Sequence, residues 1–134
     1  MLDLRRSLIV VGGSLGGHQA LQQLLMGLPS DFPASILVAL HSAEGSPKLA
    51  AGILSRHTSL TVLYARAGDL IRVGRLRFHR APRYHLVVRA RGVVALDDGP
   101  KLHYSRPAVD RLFQSAATEY GSRVAGVVLS GGRP

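Results

Sequence analysis

Short apolar runs alternate with stretches of helical periodicity through the first half of the chain. The runs at 7–11, 36–40 and 61–65 predict β-strands. Between them, apolar residues recur at helical spacing from Ala20 to a stop at Pro29, and again after Ser46-Pro47. This β-α-β-α-β order favours a parallel sheet with helices on both faces.

The middle of the chain has a different pattern. Short strands are predicted at 76–79, 84–89 and 93–96, separated by the turn signals Ala81-Pro82 and Arg91-Gly92. Three short strands in succession indicate a strand-rich insertion built from hairpins.

A third helix and a last strand follow the insertion. Ser105-Arg106-Pro107 opens the helix, Gly121 ends it, and 124–129 is a further buried strand. The fold class predicted is α/β, a doubly wound, mostly parallel sheet with helices on both faces and a β-hairpin insertion. The 134 residues fit one domain. A covering helix is expected after such a strand, so we expect this domain to be incomplete at its C-terminal end.

Composition narrows the class of protein further. No apolar run is long enough to span a bilayer, and the apolar N-terminal run leads straight into a glycine turn instead of a signal-peptide cleavage site. Cysteine is absent, which excludes disulfides and cysteine-based zinc sites. We expect a cytoplasmic protein without membrane insertion.

The formal charge of +9 arises from 17 basic and 8 acidic residues. Such a balance fits nucleic acid, an anionic membrane or an acidic protein partner. The arginines are spread along the chain and aromatic residues are few, so an arginine-rich surface is favoured over a nucleic-acid groove. A nucleic-acid binder would associate with DNA in a strongly salt-dependent way.

The first strand ends in Gly12-Gly13-Ser14-Leu15-Gly16. A dinucleotide fingerprint fails because Ser14 takes a glycine position and no acidic residue ends the second strand. A P-loop fails because no lysine follows the glycines. A nonspecific phosphate site at the helix N-terminus stays open.

The nucleophile hypothesis fits this turn better. G-x-S-x-G between a strand and a helix exposes a serine beside the N–H groups of a helix N-terminus, which stabilise an oxyanion. A serine needs a base, and His41 follows the second strand. Adjacent carboxyl ends of parallel strands line one crevice, so Ser14 and His41 are expected to meet. On these two residues alone, a helix cap and a loop histidine explain the pattern equally well.

Longer segments resemble the catalytic domain of the CheB family, the chemotaxis protein-glutamate methylesterases. The similarity runs from about Ile9 to the last residue. The segments that carry it are V-G-G-S-L-G-G at 11–17, His41 after its strand, A-P-R-Y-H at 81–85, D-G-P at 98–100, R-P-A-V-D-R-L-F-Q-S-A-A at 106–117 and G-V-V-L-S-G-G at 126–132.

The resemblance implies a serine hydrolase that removes methyl esters from receptor glutamates and also deamidates glutamines. It makes Ser14 the nucleophile and His41 its base. The oxyanion site and cleft would involve Leu15, in place of the family's threonine, and Gly132, in place of its methionine. Methylated chemoreceptor helices are the implied partner; cofactors and nucleic acid are not.

The family's triad aspartate is expected just after Gly132, where this chain reads Arg133-Pro134. Losing that acid costs about 10⁴ in turnover in a triad enzyme. We therefore expect these 134 residues to be inactive or nearly so, with the acid beyond Pro134. The alternative is a non-catalytic methylesterase-like module that binds receptor or signalling proteins. No stretch of these 134 residues resembles the family's receiver domain, and we expect that domain to be absent.

The other polar candidates have weaker support. Arg106 either faces the cleft or is a solvated arginine, and His85 borders the cleft by resemblance only. Asp98 and Asp110 are interpreted as structural or cleft-forming, with Asp110 in the first turn of its helix. His18 is predicted to be a surface histidine. The histidines show no metal-ligand spacing, and no metal is predicted.

Overall fold

The computed structural model describes residues 7–13, 17–40, 47–80, 84–97 and 107–129, without the side chains of 47–50 and 107–108. In chain order the elements are β1 (Ser7–Gly13), α1 (Gly17–Met26), β2 (Ala34–Leu40), α2 (Pro47–Ser55), β3 (Thr61–Tyr64), β4 (Arg75–Phe78), β5 (His85–Arg89), β6 (Val93–Asp97), α3 (Pro107–Tyr120) and β7 (Val124–Leu129). The predicted strands and helices are present, with ends shifted by a few residues.

Within the described residues, five strands form one parallel sheet in the order β3-β4-β2-β1-β7. The helices cover both of its faces. The predicted doubly wound α/β class is confirmed. β1 lies between β2 and β7 and is buried along most of its length, as expected of an apolar strand inside a parallel sheet.

The predicted insertion is smaller than expected. In the part of the chain that the structure describes, the insertion has one antiparallel hairpin, formed by β5 and β6, with His85 opposite Asp97 and Arg89 opposite Val93. The assignment of the preceding strand to the insertion was wrong, because β4 pairs in parallel with both β2 and β3. The short R-L-R-F alternation of β4 gave no sign of these partners, which are far away in sequence.

Two apolar cores lie on opposite faces of the sheet because successive residues of β1 and β2 point to opposite sides. In one core, Val10 and Leu37 pack against Leu112 and Ala116 of α3 and against the hairpin. The residues packed on the other face belong to β1, β2, β4, α1 and α2 and include Val11, Val38, Phe78, Leu21, Leu25 and Leu54. The helical spacing of Leu21 and Leu25, and of Leu112 and Ala116, explains which side of each helix is buried.

The hairpin is fastened to the main sheet by the segment between β3 and β4. Leu70 forms an antiparallel bridge with Val93, and the Ile71 N–H donates to the Gly92 carbonyl at 2.8 Å. Arg91 and Gly92 have φ of 68° and 71°, so the predicted turn at the hairpin tip is confirmed.

Among the residues that the structure describes, no helix has both the length and the apolar character needed to cross a bilayer.

Candidate active site

Three parallel strands end at the same level on one edge of the sheet. Gly13, the last residue of β1, is in register with Leu40 of β2 on one side and with Leu129 of β7 on the other. Neighbouring strands lie about 4.8 Å apart. Ser14 follows Gly13 in the sequence and His41 follows Leu40. The register therefore brings the two strand ends that lead to the candidate nucleophile and base next to each other.

The glycines before Ser14 are required by close packing. A Cβ on Gly13 would collide with the Leu129 carbonyl oxygen and would lie 3.0 Å from Cδ2 of Leu40. A Cβ on Gly12 would lie 2.6 Å from Cγ1 of Val109, near the start of α3. Neither glycine has a positive φ. These glycines therefore permit the approach of β7 and α3 to the end of β1.

Most of the predicted site residues lie outside the described residues. These residues are Ser14, Leu15, His41, Arg106 and Gly132. His85 is the exception. It is the first residue of β5, it is 4 % exposed, and its Nδ1 has no hydrogen-bond partner among the described residues. The structure therefore shows the positions from which Ser14 and His41 emerge and leaves their side-chain contact a prediction.

His79 is a feature of this edge that the sequence pattern did not single out. It follows β4 directly, as His41 follows β2, and its N–H donates to the Val38 carbonyl of β2 at 2.8 Å. Its Nε2–H donates to the Tyr84 carbonyl at 2.9 Å, because a carbonyl can only accept. Its position after a main-sheet strand was the available signal, which was lost when β4 was assigned to the insertion.

The environment of His79 favours the neutral ring. Burial lowers its pKa below the usual histidine value, the hydrogen bond to Tyr84 raises it in part, and the nearby His85 lowers it again. Its Nδ1 is buried and, within the described residues, has no partner. His79, which is half-buried, and His85, which is buried, therefore lie near each other close to the carboxyl ends of β4 and β2.

His18, in the first turn of α1, is not the surface residue predicted. Its ring lies 5.7 Å, centroid to centroid, from the ring of Phe78 at the end of β4. The side chain is half-buried, and this burial lowers the pKa of His18. The sequence showed only a polar residue at a helix start, since the aromatic neighbour belongs to another strand.

Two acidic residues have structural positions near α3. Asp110 lies in the first helical turn, as predicted, where a negative charge is favourable. Asp97, at the end of β6, forms an ion pair with Arg111 and so joins the hairpin to α3. In the described ranges, no group of three or more His, Cys, Asp or Glu is suited to hold a metal ion.

The first strand of this parallel sheet is followed in sequence by Ser14, and the adjacent strand is followed by His41. Together they define a doubly wound α/β domain with a candidate hydrolase site at the carboxyl edge of the sheet. The sequence model of the CheB methylesterase family matches residues 9–133. The chain belongs to this family.

Individual relatives agree with this assignment. The chain is 45 % identical over 127 residues to a protein-glutamate methylesterase/protein-glutamine glutaminase of Anaeromyxobacter dehalogenans, covering 95 % of this chain and 37 % of that protein. It is 42 % identical over 129 residues to its counterpart in Symbiobacterium thermophilum, covering 96 % and 35 %. The chain thus spans about a third of the curated relatives it matches.

The fold is also similar to a solved structure. The crystal structure of the Thermotoga maritima CheB methylesterase catalytic domain superposes with a TM-score of 0.85 at 34 % sequence identity. The match covers 94 % of this chain and 68 % of that chain.

Proposed function

We propose that the protein to which this sequence belongs is a protein-glutamate methylesterase that hydrolyses methyl esters of chemoreceptor glutamates and also deamidates glutamines. Family membership and the names of the relatives support this activity. The observation that carries the proposal is the β1–β2 register, which pairs Gly13 with Leu40 immediately before Ser14 and His41.

In the proposed reaction the hydroxyl oxygen of Ser14 attacks the ester carbonyl carbon while His41 accepts the hydroxyl proton. Negative charge develops on the carbonyl oxygen. The N–H groups at the start of α1 are suited to bind it, because the first N–H groups of a helix have no intrahelical acceptor. Collapse of the tetrahedral intermediate releases methanol, with the imidazolium returning the proton to the leaving oxygen.

The second half of the reaction frees the enzyme. Water attacks the acyl-serine as His41 accepts its proton, and glutamate is released as Ser14 regains its hydrogen. A carboxylate that orients His41 and stabilises its cationic form is the third requirement. We propose that this acid comes from the segment after Gly132, and that no cofactor takes part.

The implied partners follow from the substrate. We propose that the protein acts in the cytoplasm on the methylated helices of chemoreceptors. A net charge of +9 is suited to approach a glutamate-rich polypeptide, since opposite charge accelerates encounter.

Methanol release from receptor membranes carrying radiolabelled methyl esters tests the proposal. The chain is extended by the C-terminal segment of the Anaeromyxobacter relative and compared with Ser14→Ala and matched Ser55→Ala variants of the same extended chain; Ser55 is exposed at the end of α2. We expect release above background by the extended chain and by its Ser55→Ala variant, and none by its Ser14→Ala variant; the 134 residues alone should release little or no methanol. Equal release by all three would refute Ser14 as the nucleophile.

The binding-module alternative gives a different result in the same assay. It predicts co-sedimentation with receptor membranes without methanol release. The C-terminal extension supplies the acid that the proposed reaction requires. If the extended chain binds and still releases no methanol, the alternative is correct and the esterase proposal is wrong.

A further inference from the structure

The surface opposite the candidate active site combines arginines with exposed apolar side chains. It lies at the amino ends of the strands, where the turn before β4 meets the tip of the β5–β6 hairpin. The Gly74 N–H donates to the Ala34 carbonyl at the start of β2, at 3.0 Å. The Ile71 N–H donates to the carbonyl of Gly92 at the hairpin tip. The turn and the tip therefore form one continuous surface.

The turn before β4 contributes two apolar and two cationic side chains. Leu70 is 46 % exposed and Val73 is 36 % exposed. Arg72 lies between them in sequence, and Arg75 begins β4; both are exposed. Single exposed apolar side chains are ordinary on a protein surface, but here two of them alternate with two exposed arginines within residues 70–75.

Two more arginines extend this surface. Arg91 is exposed at the hairpin tip. Gly92 lies so near α3 that a Cβ there would be 2.9 Å from the Tyr120 hydroxyl, and the Arg123 guanidinium lies 5.4 Å from the centre of the Tyr120 ring. We call the set the amino-end patch: Leu70, Arg72, Val73, Arg75, Arg91 and Arg123.

Positive charge dominates the amino-end patch. The nearby carboxylate of Asp69 is bound to Arg77 at 2.8 Å. Of the described acidic residues, Asp31 and Glu119 are exposed near this end of the molecule, against four arginines of the patch. The remaining charge is attractive to an anionic partner.

We propose that the amino-end patch binds the surface of an anionic lipid bilayer. Each arginine near such a surface contributes about 1 kcal/mol, and apolar side chains between cations enter the headgroup boundary. A purely acidic polypeptide would satisfy the arginines and leave Leu70 and Val73 in water, whereas a bilayer offers anionic headgroups and an apolar boundary together. No helix needs to insert.

The position of the amino-end patch leaves the candidate active site accessible. The seven residues of β1 separate the two ends of the sheet by about 20 Å at roughly 3.3 Å per residue. Binding to a bilayer would thus orient the carboxyl edge of the sheet away from the membrane. This inference does not depend on the proposed esterase activity.

Sedimentation with vesicles tests the proposal. The unaltered chain is mixed with phosphatidylcholine vesicles and with vesicles containing about one third phosphatidylglycerol. We expect binding to the anionic vesicles only, weakened by salt. Arg72→Glu should reduce that binding about tenfold or more, because it removes one attraction and adds a repulsion. Val73→Ser should reduce it severalfold.

Arg66→Glu is the matched control, since it changes the net charge equally at an exposed position after β3. It should retain most of the binding, and circular dichroism checks that all variants are folded. Equal losses in Arg72→Glu and Arg66→Glu would indicate general charge attraction and overturn the proposal. Absence of vesicle binding, or binding of polyglutamate with no effect of Val73→Ser on vesicles, would also overturn it.

Discussion

The Arg77 guanidinium and the Asp69 carboxylate form an ion pair at 2.8 Å beneath the hairpin, where Arg77 is 7 % exposed. Arg77 also donates to the Leu70 carbonyl, and Asp69 accepts from the Arg66 N–H. The pair thus fixes the segment between β3 and β4 to the central sheet. The same segment carries Leu70 and Arg72 of the amino-end patch.

Removing one partner of this pair should be costly. Asp69→Ala leaves a buried guanidinium without its counter-charge, and we expect a loss of about 3 kcal/mol in the free energy of unfolding. Urea denaturation measures it. Asp31→Ala removes an exposed carboxylate and should change stability by less than about 0.5 kcal/mol. Equal effects of the two variants would contradict a structural role for the pair.

Adding a methyl group at Gly13 should push β7 away from β1. In Gly13→Ala the new Cβ meets the Leu129 carbonyl, which is backbone and cannot rotate away. We expect a loss of about 2–3 kcal/mol in the free energy of unfolding. Gly52→Ala is the matched control: it lies inside α2 with open space around it, and should stabilise by about 0.5–1 kcal/mol. A neutral Gly13→Ala would show that β7 tolerates displacement.

Stability should fall on acidification because the folded chain lowers the pKa of His79. Between the unfolded value, about 6.5, and the lower folded one, the unfolded chain binds more protons. The free energy of unfolding therefore rises with pH through this window. The contribution of His79 is complete above about pH 6.5 and is lost as the pH falls toward the folded pKa.

Urea denaturation between pH 5 and 8 measures this dependence. His79→Gln should flatten it in part, with His18 supplying a remaining slope of the same sign because burial lowers its pKa too. His57→Gln, in the turn after α2, serves as the matched histidine control. An unchanged slope in His79→Gln would contradict the assignment.

The proposed pair of Ser14 and His41 should act as one unit. In a chain with measurable methanol release, each single alanine variant should lose a factor on the order of 10⁴ or more, and the double variant should lose no more than the worse single one. Single-turnover rates on methylated receptor measure this non-additivity. If the two losses multiply, the residues do not share a proton and the proposed roles are wrong.

Local pattern predicted much of the fold. The apolar runs predicted β1, β2 and β7, and the helical periodicity predicted α1 and α3, because the conformation of these segments follows from residues that are close in sequence. β4 was assigned to the wrong sheet because its place is determined by pairing with β2 and β3, which are distant in sequence. The environment of His79 followed that error, since it comes from its neighbours across strands.

The candidate site divides in the same way. The adjacency of the β1 and β2 ends was predictable, because sequential strands of a parallel sheet end on one edge. The burial of His18 against Phe78 was not, since nothing in the sequence near a helix start reports which ring will cover it. The contact between Ser14 and His41 stays a prediction.

The tight approach of Leu129 and Val109 to Gly13 and Gly12 has a consequence for anyone who would redesign this protein. Gly13 meets a backbone oxygen and Gly12 meets a valine side chain, so the end of β1 before the candidate nucleophile offers almost no latitude for mutation. Substitutions meant to alter substrate preference should therefore be made in the connecting loops, and the contact between β1 and β7 should be left unchanged.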